Sequence, residues 1–161
     1  MKTNKIKTVL IALDLDPTAQ KVAESGFELA KSMEAKVILL HALVDDIYYT
    51  SIENYPLIGF SGSVIAPLLL QNGNDSKKES QNYLNKIKTH FGDETVRTIV
   101  KEGDCAELIL QTAEEMKVDV IVMGSHSKRW LEEVLMGSVT ENVLHSSSIP
   151  LFLIPTKNSK K

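Results

Sequence analysis

The sequence predicts an α/β fold in which a parallel β-sheet is covered by helices on both faces. Short apolar runs alternate with segments of helical periodicity along the whole chain, and this order of elements is typical of parallel sheets. Three of the runs consist almost entirely of Val, Ile, Leu and similar residues, as parallel strands do when both of their faces are buried. No internal repeat and no low-complexity segment interrupts the pattern.

The first part of the chain predicts a strand, a helix and a second strand. Residues 6–13 form a short β-rich apolar run, and residues 18–33 carry apolar side chains at helical spacing. Asp16 and Pro17 precede this helix as a capping carboxylate and a proline where no amide donor is needed. Residues 35–44 are too uniformly apolar for a half-exposed strand, so we expect a buried one.

The rest of the chain predicts an irregular insertion at 45–74, followed by three helices and three strands. Asp104 and Glu107 have the spacing of a capping box, and Gly92 closes the helix before them. The helices are expected at 76–91, 104–116 and 138–145, and the strands at 95–100, 118–124 and 150–155. We expect one domain, 1–161, with polar, flexible tails at 1–5 and 156–161.

Composition limits the partners that we expect. The formal net charge of -3 gives no general attraction to nucleic acid or to an anionic membrane surface. The first apolar run soon meets Asp14 and Asp16, so we expect no signal peptide, and residues 56–70 are too short and broken to span a bilayer. The single cysteine, Cys105, fits a reducing compartment, and we expect a cytoplasmic protein.

Two glycines flank a polar loop between the fourth strand and the helix that follows it. Gly124 ends the strand and Gly137 opens the helix, thirteen residues later. If the fourth strand lies beside the first, Leu13 and Asp14 border the same crevice as Gly124, where open parallel sheets bind ligands. The helix start then offers amide groups to an anion, and Asp14 can accept hydrogen bonds from ribose hydroxyls.

The same residues have a purely structural interpretation. Ser138 and Glu141 have the S-x-x-E spacing of a capping box, which would only satisfy the helix end. There is no Walker A sequence and no G-x-G-x-x-G after the first strand. Two glycines thirteen residues apart are a weak indication of a phosphate site by themselves.

Four stretches of the chain resemble the universal stress protein family: KTVLIALD, VDVIVMGSHS, MGSVTENVL and IPLFLIP. The resemblance covers almost the whole chain. It implies a Rossmann-like sheet of five parallel strands in the order 3-2-1-4-5, similar to that of adenine nucleotide alpha hydrolases. It also implies a homodimer joined along the fifth strand, from Pro150 to Pro155. The nucleotide-binding branch of the family has the pattern G-x2-G-x9-G-[ST].

The family pattern places a nucleotide site on this chain, with one departure. Its first glycine matches Gly124 and its last pair matches Gly137 and Ser138, but its middle glycine matches Ser127. If that position requires a left-handed backbone, serine weakens binding by about tenfold. By resemblance, and with Lys128 and Arg129 adding positive charge, the nucleotide-binding residues are Ala12, Leu13, Asp14, Ala42, Met123, Gly124, His126, Ser127, Lys128, Arg129, Gly137, Ser138, Val139 and Thr140.

These observations predict a cytoplasmic stress-response protein that binds ATP, ADP or AMP, with Mg²⁺ accompanying the nucleotide, and acts as a switch or signalling dimer. We expect no dedicated catalyst and at most slow ATP hydrolysis, because no general base or metal-ligand set is apparent. One alternative is a homodimeric interaction module whose site is degenerate at Ser127. Another is an unrelated adenine-nucleotide enzyme on a similar sheet, for which the sequence shows no substrate pocket.

Two further residues have competing interpretations. His41 ends a buried strand, and we expect a hydrogen-bonded core or interface histidine there and not a ligand. Cys105 lies at a helix start, where a thiol pKa can be lowered, but a plain small residue on the helix is the simpler interpretation. No histidine pair has the spacing of a metal site.

Overall fold

The computed structural model describes residues 4–15, 18–43, 73–125 and 137–156, and it confirms the predicted α/β fold. The strands are β1 (Thr8–Leu13), β2 (Lys36–Leu43), β3 (Arg97–Glu102), β4 (Val120–Gly124) and β5 (Leu151–Ile154). The helices are α1 (Ala19–Ser32), α2 (Gly73–Phe91), α3 (Cys105–Glu115) and α4 (Ser138–Ser146). None of the helices in these four ranges has the length and apolar character needed to cross a membrane.

The five strands form one parallel sheet in the order β3-β2-β1-β4-β5, as the family resemblance implies. β1 is the central strand and pairs with β2 on one side and β4 on the other. The register is set by apolar residues: Val9 lies opposite Val37 on β2 and opposite Val120 on β4. Since the strands are parallel, the carboxyl ends of β1 and β4 lie side by side.

The two faces of the sheet bury separate apolar clusters. Side chains that alternate along each strand point to opposite faces, so each strand contributes to both clusters. The face covered by α1 and α2 contains Val9, Ile11, Leu39, Val122, Ala23, Leu84 and Ile87. The face covered by α3 and α4 contains Leu10, Ile38, Leu40, Ile121, Ile109 and Val143. This double burial explains why β1, β2 and β4 lack a polar face.

The helix ends follow their sequence signals only in part. Asp104 is the N-cap of α3, and its side chain accepts a hydrogen bond from the Glu107 amide at 2.9 Å, as predicted. Gly92 closes α2 with φ near +65°, a conformation that glycine adopts without strain. The turns after α1 and α3 use Glu34 and Lys117 in the same left-handed region, for which the sequence contains no glycine signal.

Several predicted boundaries differ from those in the structure. β1 begins at Thr8, later than predicted, and the amides of Lys7 and Thr8 donate to the Asp119 carboxylate at 2.8 and 2.9 Å. α2 begins at Gly73, so the predicted irregular segment extends two residues too far. β3 lies two residues later than predicted. The predicted cap formed by Asp16 and Pro17 lies outside the described residues.

Candidate functional site

The carboxyl ends of β1 and β4 form the edge at which the sequence predicts a ligand site. Ile11 lies opposite Val122, so Leu13 and Gly124 end adjacent strands at the same height. Asp14 follows directly and is exposed. The structure therefore brings an acidic side chain to the edge where β4 turns toward α4. This confirms the strand adjacency on which the predicted crevice depends.

Two hydrogen bonds join the ends of the segment between β4 and α4. The Gly137 amide donates to the Ser125 carbonyl at 2.8 Å. The Thr140 hydroxyl, which is buried, donates to the Gly124 carbonyl at 2.9 Å. Ser125 and Gly137 therefore lie next to one another, close to the carboxyl end of β4. The Thr140 hydroxyl uses its hydrogen in this bond, so the hydroxyl can only accept a hydrogen bond from a ligand.

The N-cap residue of α4 is Gly137 and not Ser138. The Gly137 carbonyl accepts the first helical hydrogen bond, from the Glu141 amide at 2.9 Å, and no side chain caps the helix. The predicted capping box of Ser138 and Glu141 is therefore wrong, because the helix begins one residue too early for it. The amides of the first turn keep their capacity for an anion, and the helix dipole favours negative charge there.

The β2 side of the edge adds a residue that sequence reasoning did not place in the site. The Cys105 thiol lies 3.8 Å from the carbonyl oxygen of Ala42, within range of a weak sulfur hydrogen bond. Burial raises the pKa of Cys105, and the carboxylates of Asp104 and Asp14 raise it further. The helix start thus does not activate this thiol. The negative charge of Asp14 therefore acts on the Cys105 thiol across this edge of the sheet.

His41 is buried at the end of β2, beside the last residue of β1. Its Nδ1 atom lies 2.8 Å from the Leu13 carbonyl oxygen, which confirms the expectation of a hydrogen-bonded core histidine. A carbonyl oxygen only accepts, so the ring nitrogen donates. Burial lowers the pKa of His41 below its ordinary value of 6.5, and the Leu13 hydrogen bond partly opposes this effect. The ring is therefore neutral near neutral pH.

Because His41 is buried in its neutral form, we expect the folded protein to lose stability in mild acid. Below pH 6.5 the unfolded chain takes up a proton that the folded protein still excludes, so folding stability falls as the pH decreases. The contribution of this one group has a limiting slope of about 1.4 kcal/mol per pH unit. Urea denaturation of the natural protein and of His41→Asn between pH 7.5 and 5 measures it. The variant should lose less stability than the natural protein, and parallel curves would contradict the assignment.

The predicted nucleotide-binding residues separate into two groups. The backbones of Ala12, Leu13, Asp14, Ala42, Met123, Gly124, Gly137, Ser138, Val139 and Thr140 lie at or next to the carboxyl edges of β1, β2 and β4 and the start of α4. The side chains of Leu13 and Met123 are buried in opposite core clusters, so only their backbone groups face the edge. His126, Ser127, Lys128 and Arg129 lie outside the described residues.

The described part of the chain contains no group of three or more His, Cys, Asp or Glu side chains arranged to hold a metal ion. The edge offers a carboxylate that accepts hydrogen bonds, from Asp14, and first-turn amides of α4, where an anion can bind.

A doubly wound parallel sheet with its polar groups at the β1–β4 edge defines a class of α/β ligand-binding proteins. The sequence model of the universal stress protein family matches residues 5–155. The chain belongs to the universal stress protein family. It is 32% identical to universal stress protein MJ0577 of Methanocaldococcus jannaschii over 158 residues, which cover 95% of this chain and 97% of the relative.

Solved structures share the fold over nearly the whole chain. The structure of hypothetical protein MJ0577 superposes with a TM-score of 0.73 at 30% identity and covers 97% of this chain and 100% of its own. A universal stress protein in complex with cAMP gives a TM-score of 0.65 at 18% identity, covering 96% and 100%. A family protein of Arabidopsis thaliana with AMP bound gives 0.61 at 17%, covering 95% and 93%.

Proposed function

We propose that this protein binds an adenine nucleotide at the carboxyl edge of β1 and β4 and acts as a nucleotide-dependent switch. The observation that carries the proposal is the arrangement of three features at one edge. Asp14 follows β1, the adjacent β4 ends at Gly124, and α4 starts at Gly137 without a side-chain cap. Such an edge offers an acceptor for ribose and donors for phosphate at neighbouring points.

Each part of the nucleotide has a matching group in this chain. The Asp14 carboxylate accepts hydrogen bonds from the ribose hydroxyls, and the backbone of Ala42 contacts the adenine. The first-turn amides of α4 take the phosphates. Ser127, Lys128 and Arg129 add polar and positive groups from the connecting segment. Mg²⁺ accompanies ATP or ADP through the phosphates.

The ligands of two structural neighbours support this choice of ligand class. One neighbour is in complex with cAMP and the other has AMP bound. Both ligands contain an adenine, a ribose and one phosphate, which are the three parts for which this edge has groups. The proposed ligands of this chain are therefore ATP, ADP and AMP, with the adenosine monophosphate portion as their common element.

The switch operates in a homodimer joined through β5. β5 pairs with β4 on one side, and on the other it is the edge of the sheet in the described part of the chain. Phe152 on β5 is 43% exposed, which is high for a phenylalanine. Pairing of two copies from Pro150 to Pro155 would cover this side chain. We place the dimer in the cytoplasm, where nucleotide occupancy reports on cellular stress.

The proposed role is binding and signalling, with at most slow hydrolysis of ATP. Rapid phosphoryl transfer requires a positioned base and charged groups around the transferred phosphoryl group. Asp14 is the acidic residue that directly follows β1. Because we place it at the ribose, it does not serve as a base at the transferred phosphoryl group. The expected turnover is therefore far below that of a dedicated ATPase.

Isothermal titration calorimetry with ATP and Mg²⁺ on nucleotide-free protein tests the proposal. We expect saturable heat at ligand concentrations up to the millimolar range and a matching rise in melting temperature. Asp14→Asn should weaken binding by about tenfold, because one charge-assisted hydrogen bond is lost. The matched control is Asp93→Asn, far from the edge, which should bind like the natural protein. Absence of heat and of a thermal shift at millimolar ligand would overturn the proposal.

A second candidate function is a homodimeric interaction module with a degenerate nucleotide site. The observation in its favour is Ser127, which stands where the nucleotide-binding pattern has its middle glycine. Ser127→Gly separates the two candidates. A functional site should gain up to about tenfold in affinity. A lost site should bind no nucleotide in either form, and the protein would then act through its dimer surface.

A further inference from the structure

The hydrogen bond between His41 and Leu13 joins a core side chain to the backbone that leads into the candidate site. The ring donates from Nδ1 to the Leu13 carbonyl oxygen at 2.8 Å, and Asp14 is the next residue. A peptide unit is planar, so the carbonyl of Leu13 and the amide and Cα of Asp14 move as one body. Fixing that carbonyl therefore fixes the direction in which Asp14 leaves the sheet.

We infer that His41 is a positioning residue for Asp14, holding its carboxylate at the β1–β4 edge from the opposite face of the sheet. The inference rests on the proposed function for its consequence, which is tighter nucleotide binding. His41 lies on the α1–α2 side of β2, because it is two residues away from both Leu39 and Leu43, and residues two apart in a strand point to the same face. Asp14 directly follows β1, two residues after Ala12, which packs on the α3–α4 side, and its charge acts on Cys105 at the start of α3.

The His41 side chain does more than fill space in the core, because it also makes a hydrogen bond. Within the described ranges, the Nε2 atom of the ring is buried and has no hydrogen-bond partner. A leucine of similar size would fill the same space without a polar atom. The Nδ1 hydrogen bond is the feature that a leucine cannot reproduce. The histidine thus serves the placement of the Leu13–Asp14 peptide.

Two substitutions separate this role from simple packing. In His41→Asn the side-chain amide lies near the position of Nδ1 and can still donate to the Leu13 carbonyl. In His41→Gln the amide lies near the position of Nε2, beyond the carbonyl. Both variants are polar and uncharged, and they differ chiefly in where the donor sits. A packing role predicts similar behaviour for the two, whereas a positioning role predicts that only His41→Asn resembles the natural protein.

Cys105 reports the position of Asp14 without any nucleotide. It is the one cysteine in the chain, so alkylation by iodoacetamide is specific for it. The negative charge of Asp14 raises its pKa, in addition to burial and Asp104. If Asp14 moves away, the thiol ionises at lower pH. The pH dependence of the alkylation rate therefore reports how strongly the Asp14 charge acts on the thiol, and Asp14→Asn sets the limit of the shift.

The experiment compares alkylation profiles of the natural protein, His41→Asn, His41→Gln and Asp14→Asn. We expect the His41→Gln profile to shift to lower pH, toward that of Asp14→Asn, and the His41→Asn profile to stay at the natural position. An unshifted His41→Gln profile, or equal shifts in both His41 variants, would overturn the inference. If His41→Gln does not fold, ¹⁵N chemical shifts of the natural protein decide: His41 should carry its proton on Nδ1, and a proton on Nε2 would overturn the inference.

Nucleotide titration of the same variants separates this inference from the proposed function. His41→Gln should bind AMP about five- to tenfold more weakly than the natural protein, and His41→Asn should bind within about twofold of it. If the natural protein binds no nucleotide while the alkylation profile shifts as expected, the proposed function fails and the positioning role stands. If the natural protein binds AMP and both His41 variants bind it equally well, the positioning role fails and the proposed function stands.

Discussion

Replacement of Gly26 by valine is expected to lower the free energy of unfolding by about 3 kcal/mol. Gly26 is buried on the face of α1 that packs on the sheet. A Cβ atom built on it would lie 2.8 Å from Cδ1 of Ile11 and 3.0 Å from Cγ1 of Val122. Both neighbours are fully buried, so α1 must move outward or the strand side chains must leave their rotamers.

Urea denaturation of Gly26→Val and Gly26→Ala measures this effect. In an exposed helix, alanine would stabilise by about 1 kcal/mol relative to glycine, and here we expect that gain to be lost. A double-mutant cycle with Ile11→Val supplies the control, because valine lacks the Cδ1 atom that the new methyl group meets. Ile11→Val should cost less in the Gly26→Ala background than alone. A Gly26→Val protein as stable as the natural one would contradict the packing of α1.

Replacement of Thr140 by valine is expected to weaken nucleotide binding by about tenfold. Valine has nearly the shape of threonine but lacks the hydroxyl that donates to the Gly124 carbonyl at 2.9 Å. Without that bond, the Gly137–Ser125 hydrogen bond still joins the end of β4 to the start of α4. The first-turn amides then lose their fixed relation to the sheet edge. Because the carbonyl loses its partner, folding stability should also fall by about 1–2 kcal/mol.

Thr140→Ser is the matched control, because it keeps the hydroxyl and removes only a methyl group. Calorimetry with AMP should show nearly natural affinity for the serine variant and weak binding for the valine variant. Equal affinities for both would indicate that the Thr140 hydroxyl does not organise the site. Equal losses in both would assign the effect to the missing or altered packing of the side chain, and either result would contradict this part of the account.

The sequence predicts the fold and the position of the candidate site, but it does not predict the hydrogen bonds and side-chain contacts within that site. The uniform apolar runs at β1, β2 and β4 indicate strands buried on both faces, and the family resemblance supplies their order. Together these place Asp14 beside Gly124. Periodicity carries this information because burial on two faces constrains every residue of a strand.

The contacts that organise the edge could not be read from the sequence. Cys105 contacts the carbonyl of Ala42, which lies 63 residues earlier in the chain. His41 on β2 donates a hydrogen bond to the carbonyl of Leu13 on the adjacent strand β1. Such contacts depend on strand register and on side-chain rotamers, and local patterns encode neither. The cap of α4 could not be read from the sequence either. Ser138 fits the S-x-x-E spacing, but the Gly137 carbonyl accepts the first helical hydrogen bond, so the helix begins one residue earlier.

A crystal structure of the protein with AMP tests the central claim most directly. We predict ribose hydroxyls within hydrogen-bonding distance of the Asp14 carboxylate and phosphate oxygens on the first-turn amides of α4, from Ser138 to Thr140. Both contacts must come from one molecule of AMP that spans the ends of β1 and β4. AMP bound elsewhere, or an edge filled by the protein's own side chains in the presence of saturating AMP, would contradict the account.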